Sequence, residues 1–142
     1  MILQRDVRLL TPINKYGCYY CAIAFLANKY TNCPLGADDL NDGYEDCVSA
    51  GYMSADCFVD KPGQIFHYFG LSVYYHNRYD SPSCICKDGE VEILFFEYER
   101  PNKPAWPHFV SGDGAGHVAY DPWGVSTVVR LGQLRSKRIF TI

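Results

Sequence analysis

Residues Tyr16–Ala27 read YGCYYCAIAFLA, a glycine followed by an almost wholly apolar segment. Gly17 predicts a turn that opens a helix over residues 18–30, and a helix that is apolar nearly all round is buried on several sides. The first helical residue is Cys18, where unpaired backbone N–H groups and the positive end of the helix dipole favour a thiolate. This segment therefore predicts a buried helix with a nucleophilic thiol at its start.

The bulk composition is that of one globular domain over residues 1–142. Hydrophobic residues make up 48% of the chain and charged residues 20%, which is typical of a folded core. The net charge is −3 and no Lys/Arg block is present, so no nucleic-acid partner is expected. No apolar run reaches the length of a membrane helix, so no transmembrane segment is expected.

The cysteine pattern indicates reduced thiols. Seven cysteines are present, and the charged N-terminus lacks the apolar core of a signal peptide. An odd number of cysteines without an export signal argues against a disulfide framework. We therefore expect a cytoplasmic protein whose cysteines are mostly small buried residues.

The remaining segments predict an α+β fold, with helices first and an antiparallel sheet towards the C-terminus. After Pro34, apolar spacing and acidic residues predict a helix near 37–50, and Pro62 predicts the start of a short helix that Gly70 ends. Runs of β-branched and aromatic residues then predict strands. The predicted strands cover residues 71–76, 90–98, 108–111, 117–121, 126–131 and 138–142.

One predicted hairpin brings a histidine and an aspartate together. If Asp113-Gly114 forms a two-residue loop, His108 faces Ala119, and Asp121 lies on the same face one diagonal step away, about 7–8 Å at Cα. His117 is a poorer partner for Asp121, because four residues along one strand separate them by about 13 Å. We therefore predict His108 as a general base and Asp121 as the group that orients it.

Other interpretations of these residues stay open. Cys18 could be an inert buried thiol, His108 an ordinary strand histidine, and the Asp-Pro-Trp-Gly segment 121–124 only a turn. The Cys-x-x-Cys pair Cys18 and Cys21 also fits a redox or half-zinc pattern, although the nearest further pair, Cys84 and Cys86, has a poor chelating spacing. We expect no metal and no cofactor.

Four short motifs, in order along Gln4–Gly124, resemble those of a known family. They are Gln4-Arg5-Asp6, Tyr16-Gly17-Cys18, His108-Phe109-Val110 and Asp121-Pro122-Trp123-Gly124. This combination resembles the papain-like cysteine peptidase fold, and more narrowly the bacteriocin-leader-processing (double-glycine) peptidase group and its uncharacterised relatives. The resemblance implies a papain-like domain in which the helix that carries the cysteine packs against the C-terminal antiparallel sheet.

The resemblance also implies roles for individual residues. Cys18 would be the nucleophile, His108 the general acid/base and Asp121 its orienting partner. The side-chain amide of Gln4, with the Cys18 N–H, would form the oxyanion hole, and Asn14 is the fallback donor because it is closer in sequence.

The chain departs from the family pattern after the cysteine. The family continues Cys-Gly-Pro, whereas Tyr19 and Tyr20 follow Cys18 here. These two phenols could narrow access to the thiol or form a substrate-facing wall, and we expect Trp106 to help line a peptide groove.

Two functional hypotheses follow. The first is a thiol-dependent hydrolase with a Cys-His-Asp triad that cleaves a peptide or cell-wall peptide amide in a peptide or protein substrate; by analogy, we expect a stand-alone, phage- or plasmid-encoded enzyme. The alternative is a catalytically inactive papain-like binding or scaffold domain, which Tyr19, Tyr20 and the distant Gln4 suggest. Neither hypothesis specifies the oligomeric state.

Overall fold

A computed structural model describes residues 1–79 and 83–142 of the chain. Five helices and five strands are present in this part of the molecule. The helices are α1 (Thr11–Tyr16), α2 (Cys18–Thr31), α3 (Ala37–Ser49), α4 (Pro62–Tyr68) and α5 (Thr127–Leu131). The strands are β1 (Tyr74–Tyr79), β2 (Glu90–Arg100), β3 (Lys103–Gly112), β4 (Val118–Tyr120) and β5 (Gln133–Thr141).

Helix α2 confirms the prediction made for residues 18–30 and is largely buried. Gly17 separates it from α1, a short helix that the sequence analysis missed. A Cβ atom at Gly17 would lie 2.6 Å from the Ile13 carbonyl oxygen, so only glycine allows the two helices to follow each other so closely. Asn32 ends α2 in the left-handed conformation, at φ 53°.

The five strands form one antiparallel sheet in the order β1-β5-β2-β3-β4. This sheet and the preceding helices confirm the α+β class. Strand β2 lies at the centre, where Ile93 pairs with Ser111 of β3 on one side and with Arg138 of β5 on the other. Its long apolar run explains this position, because a central strand is covered on both faces.

Helix α2 packs against the sheet and forms the main core. The Ser111 hydroxyl donates a hydrogen bond of 2.8 Å to the Ala22 carbonyl, which ties β3 to the first turns of α2. The rings of Tyr19 and Phe109 lie 4.3 Å apart in the same interface. Fully buried side chains of this core include Tyr20, Ile23, Ile65, Phe66, Ile93 and Phe140.

Two local predictions are wrong. Residues 126–131 were predicted as a strand, but Ser126 caps helix α5 by accepting a hydrogen bond of 3.3 Å from the Val129 N–H. The β3–β4 loop is also longer than two residues, since Ser111 pairs with Tyr120 and Asp113 N–H donates to the His117 carbonyl.

Among the residues that the structure describes, no helix has the length and hydrophobicity needed to cross a membrane.

Candidate active site

Cys18 is the first residue of α2 and lies beside strand β3. It is half-buried and lines a cleft. The backbone N–H groups of Phe109, Tyr19 and Cys18 itself act on the thiol and lower its pKa. The fold therefore brings the start of α2 next to the strand segment that contains His108.

The ionisation of Cys18 differs from the expectation of a thiolate at the helix start. Burial raises the pKa of the thiol above its ordinary value, and the negative charge of Asp121 raises it further. The three N–H groups do not offset this effect. Cys18 is therefore a neutral thiol in this state, and an attack through its sulfur needs a base to remove the proton.

His108 and Asp121 form a buried hydrogen-bonded pair. The Nε2 atom of His108 lies 2.6 Å from Oδ1 of Asp121, and the His108 side chain is fully buried. Since a carboxylate only accepts hydrogen bonds, Nε2 carries a proton. The other ring nitrogen, Nδ1, is buried and has no hydrogen-bond partner within the described part of the chain. A neutral His108 therefore has its basic lone pair on Nδ1.

The Asp121 carboxylate is held by three donors. Besides His108, the Trp123 N–H donates to Oδ1 at 2.8 Å and the Ser126 hydroxyl donates to Oδ2 at 2.7 Å. Burial by itself raises the pKa of Asp121, but the hydrogen bonds from His108, Ser126 and Trp123 outweigh it and hold the pKa below its ordinary value. Asp121 is therefore an anion at neutral pH.

An aromatic ring covers the imidazole. The ring of Trp123 stacks on His108, with centroids 3.8 Å apart and an angle of 23° between the planes. The guanidinium of Arg5 lies 4.9 Å from the centroid of the same indole. The turn that follows Asp121 therefore shields the His108–Asp121 hydrogen bond from solvent.

The N-terminal segment packs against this turn. The Tyr120 hydroxyl donates to the Ile2 carbonyl at 2.9 Å, and the Gln4 N–H donates to the Pro122 carbonyl at 2.8 Å. The predicted Gln4 is thus close in space to the Asp121 turn, although it is remote in sequence. Its side chain is buried, and its Oε1 atom has no hydrogen-bond partner among the described residues.

The amide groups of Gln4 and Asn14 are engaged with backbone atoms. Gln4 Nε2 donates to the Asn14 carbonyl at 3.2 Å, and Asn14 Nδ2 donates to the Gln4 and Asp6 carbonyls at 2.7 and 3.0 Å. Asn14 therefore braces the N-terminal segment, and neither residue belongs to the lining of the cleft at Cys18.

We name the space beside Cys18 the Cys18 cleft; its volume is about 1140 Å³, large enough for a peptide segment. Its walls come from the start of α2, the segment 56–64, the residues that begin β1, and the sheet positions Phe109 and Arg138. Aromatic side chains in the lining are Tyr16, Tyr19, Phe58, Tyr74, Tyr75 and Phe109.

The three aromatic residues predicted to meet a substrate have different positions. Tyr19 lines the Cys18 cleft. Tyr20 does not, because it is fully buried and its hydroxyl donates to the Leu40 carbonyl at 2.6 Å; the expectation that it forms a substrate-facing wall is corrected. Trp106 is exposed on β3 and packs against Tyr98 and Arg100, outside the cleft lining.

The remaining candidates lie elsewhere. His117 is exposed, and its Nδ1 atom lies 3.2 Å from Asp113 Oδ2, so it is not the partner of Asp121. Cys84 and Cys86 precede β2, where the Cys86 thiol donates to Glu92 at 3.8 Å. Over residues 1–79 and 83–142, no group of three His, Cys, Asp or Glu side chains could hold a metal ion.

Ser126 is the site residue that the sequence analysis missed. It was assigned to a strand because Val128 and Val129 favour extended structure. A serine just before an apolar run is also an N-cap signal, and that signal would have placed Ser126 at a helix start five positions from Asp121.

The chain is thus an α+β domain in which a cysteine at a helix start lines a cleft and lies beside Phe109, the strand residue that follows the buried His108 of the His–Asp pair. The whole chain, residues 1–142, matches the model of the family described as "Protein of unknown function, DUF261", and the protein is a member of that family. No curated protein and no solved structure matches the chain.

Proposed function

We propose that the protein is a thiol-dependent hydrolase of papain-like fold that cleaves an amide bond in a peptide or protein segment bound in the Cys18 cleft. The observation that carries the proposal is the hydrogen bonding of the two ring nitrogens of His108. Its Nε2 is held by an anionic Asp121, and its buried Nδ1 has no hydrogen-bond partner among the residues that the structure describes. The next strand residue, Phe109, has the N–H that acts on Cys18. A general base for a thiol needs an unprotonated ring nitrogen, which Nδ1 of a neutral His108 provides. Within the described part of the chain no hydrogen bond joins Nδ1 to the Cys18 sulfur, so the attack requires these two atoms to approach each other.

The chemistry follows from these ionisation states. Nδ1 of His108 takes the proton of the neutral Cys18 thiol as the sulfur attacks the amide carbonyl carbon, and Asp121 stabilises the resulting imidazolium. The imidazolium then protonates the leaving amine, which leaves an acyl group on the Cys18 sulfur. Water, deprotonated by the same Nδ1, hydrolyses the thioester and regenerates the thiol.

The oxyanion would be stabilised by the N–H groups at the start of α2. Gln4 stays the predicted side-chain donor, but its Nε2 now donates to Asn14, so this role requires the amide to turn from that carbonyl. Loss of one oxyanion donor costs about 3–4 kcal/mol of transition-state stabilisation. Gln4→Ala should therefore slow acylation much more than the exposed neighbouring change Leu3→Ala.

The alternative is a binding domain of the same fold that lacks turnover. Two observations favour it: burial raises the pKa of the Cys18 thiol, and the Gln4 amide is already engaged. In this case the Cys18 cleft would bind a peptide segment without cleaving it.

Alkylation by iodoacetamide distinguishes the two proposals. The hydrolase proposal expects Cys18 to react faster than the exposed Cys33 at neutral pH, although Cys18 is less accessible. In His108→Gln the Cys18 rate should fall below that of Cys33, because the buried thiol then has a raised pKa and no base, and the Cys33 rate should stay unchanged as an internal control. Equal rates for Cys18 and Cys33 in the wild-type protein would contradict the hydrolase proposal.

Turnover can be tested without knowledge of the natural substrate. An activated ester, p-nitrophenyl acetate, should release a burst of nitrophenolate and leave an acetyl group on Cys18 that mass spectrometry locates. Cys18→Ala should abolish both signals, and Cys57→Ser, a change at the other cleft thiol, should preserve them. Acetylation that persists without deacylation in the wild-type protein would favour the binding domain.

A further inference from the structure

We propose that Ser126 is a positioning residue for Cys18-dependent chemistry, because its hydroxyl orients the Asp121 carboxylate towards His108. The inference rests on the proposed function. It assigns a role to the N-cap residue of α5, an element that contributes none of the predicted site residues.

The hydrogen bonds around Asp121 divide between its two oxygens. Oδ1 accepts from His108 Nε2 at 2.6 Å and from the Trp123 N–H at 2.8 Å, whereas Oδ2 accepts from the Ser126 hydroxyl at 2.7 Å. The torsion that rotates a carboxylate is soft and has no sharp preferred angle. A donor on Oδ2, together with the Trp123 N–H on Oδ1, therefore restricts the rotation of the carboxylate, and Ser126 is the donor on Oδ2.

The orientation of the Ser126 hydroxyl is itself determined. A hydroxyl has one hydrogen to donate and lone pairs to accept with. Ser126 accepts from the Val129 N–H at 3.3 Å as the N-cap of α5, and an anionic carboxylate cannot donate, so its hydrogen goes to Asp121. Ser126 is also buried, which excludes competing water. The Val129 N–H of α5 thereby orients the Ser126 hydroxyl, and this hydroxyl in turn orients the Asp121 carboxylate.

In the described part of the chain, the titratable neighbours of this carboxylate come from three elements. The titratable groups that face Asp121 are His108 on β3, Cys18 on α2 and Tyr120 on β4. Arg5 lies against the Trp123 ring, which also stacks on His108. The Ser126 hydroxyl donates one of the hydrogen bonds that stabilise the Asp121 anion. Its removal should therefore raise the pKa of Asp121.

The test combines two measurements on Ser126→Ala, Ser126→Thr and the wild-type protein. The first follows the Asp121 carboxyl carbon by NMR as a function of pH. The second measures the iodoacetamide rate at Cys18. We expect Ser126→Ala to move the titration midpoint of Asp121 to higher pH. It should also slow alkylation of Cys18 by about tenfold, which is the effect of losing one hydrogen bond to a charged group. Ser126→Thr keeps the hydroxyl and should restore both.

A purely structural role for Ser126 predicts a different result. Loss of the N-cap alone would weaken α5, and so would Arg130→Gly at an exposed position of that helix; Arg130→Gly should leave both the midpoint and the Cys18 rate unchanged. If Ser126→Ala also leaves both unchanged, the Ser126 proposal is overturned and the hydrolase proposal is unaffected. If wild-type Cys18 reacts no faster than Cys33, the hydrolase proposal fails, and with it the role of Ser126.

Discussion

The indole ring of Trp123 lies over the imidazole ring of His108, with centroids 3.8 Å apart. The same turn places the Asp121 carboxylate 2.6 Å from the Nε2 atom of that imidazole. One short segment thus supplies both the hydrogen-bond acceptor and the aromatic cover of His108. Because the cover excludes water, the electrostatic interaction between His108 and Asp121 is stronger than it would be at a solvated surface.

Trp123→Ala should remove this cover and lower the free energy of unfolding by about 3 kcal/mol, because a large aromatic contact is lost and a cavity is left. Chemical denaturation followed by circular dichroism measures the change. Trp106→Ala is the matched control, since Trp106 is the other tryptophan and is exposed on β3. This variant should lose much less of the free energy of unfolding. Equal losses for the two variants would contradict the stacking role of Trp123.

Asp121→Asn should make the protein less stable at neutral pH but not at acidic pH. Hydrogen bonds hold the pKa of Asp121 below its ordinary value despite burial, so the carboxylate stabilises the fold fully above the unfolded pKa, about 3.9. This contribution is lost as the pH falls through the lower, folded pKa. We expect Asp121→Asn to cost about 1.5–3 kcal/mol at pH near 7.

Urea denaturation near pH 7 and again below the unfolded pKa checks this expectation. The stability difference between the wild-type protein and Asp121→Asn should shrink as the pH falls. Asp38→Asn, at an exposed carboxylate on α3, is the control and should have little effect at either pH. A difference of the same size at both pH values would show that the ionised form of Asp121 is not what stabilises the fold.

Gly43→Ala should destabilise the protein, although alanine is the better helix former by about 1 kcal/mol. A Cβ atom at this position of α3 would lie 2.5 Å from the Tyr20 hydroxyl oxygen and 2.8 Å from Phe69 Cζ. The Tyr20 hydroxyl cannot move away easily, because it donates to Leu40 in the core. We expect a loss of about 1–3 kcal/mol in the free energy of unfolding.

Two further variants isolate the steric cause at Gly43. Gly63→Ala in α4 meets only ordinary contact, 3.8 Å from the Val73 carbonyl oxygen, and should be neutral or stabilising. Adding Tyr20→Phe removes the clashing hydroxyl, so Gly43→Ala should cost less in that background. A stabilising effect of Gly43→Ala alone would contradict the contact described.

Lys137→Met should be strongly destabilising because it leaves a buried carboxylate without its cation. Lys137 Nζ lies 3.3 Å from Glu92 Oε1, and both side chains are almost completely buried. Breaking a buried pair costs about 3–5 kcal/mol, whereas replacing both partners is much less costly. The double variant Glu92→Gln/Lys137→Met should therefore recover part of the loss in thermal or urea denaturation.

The surface pair Arg135–Glu99 is the control for this prediction. Its Nη2–Oε1 distance is 3.0 Å, but the Glu99 side chain is exposed. Glu99→Gln should change the free energy of unfolding by no more than about 1 kcal/mol. If Lys137→Met costs no more than Glu99→Gln, the buried pair does not stabilise the fold.

Most regular elements were predictable because their signals are local. The apolar segment after Gly17 and the proline at position 62 mark α2 and α4, and the β-branched and aromatic run at 90–98 marks β2; all three elements are present. The segment 126–131 was misassigned because its valines favour strands. Packing overrides that preference: Val128 is buried against Leu94, Phe96 and Val110 as part of α5.

The contact between His108 and Asp121 was predicted from a hairpin register that is wrong. A two-residue loop pairs Ser111 with Gly116, whereas the structure pairs Ser111 with Tyr120. The displacement is three residues at Gly112, which pairs with Val118, but four at Ser111, because a bulge lies between Ser111 and Gly112. Side chains alternate between the faces of a strand with a period of two, so the even displacement beyond the bulge keeps His108 and Asp121 on one face. The prediction of their proximity therefore holds because of a bulge that the sequence pattern did not predict.

Local residue patterns were enough to establish the α+β class and the helix that begins at Cys18. They were not enough to establish the charge of Cys18, the burial of Tyr20, the backbone engagement of Gln4 and Asn14, or the hydrogen bond from Ser126 to Asp121. Helices and strands arise from the spacing of neighbouring side chains. Desolvation and hydrogen-bond partners depend instead on distant segments that meet only in the folded chain, as burial of the Cys18 thiol between α2 and β3 demonstrates.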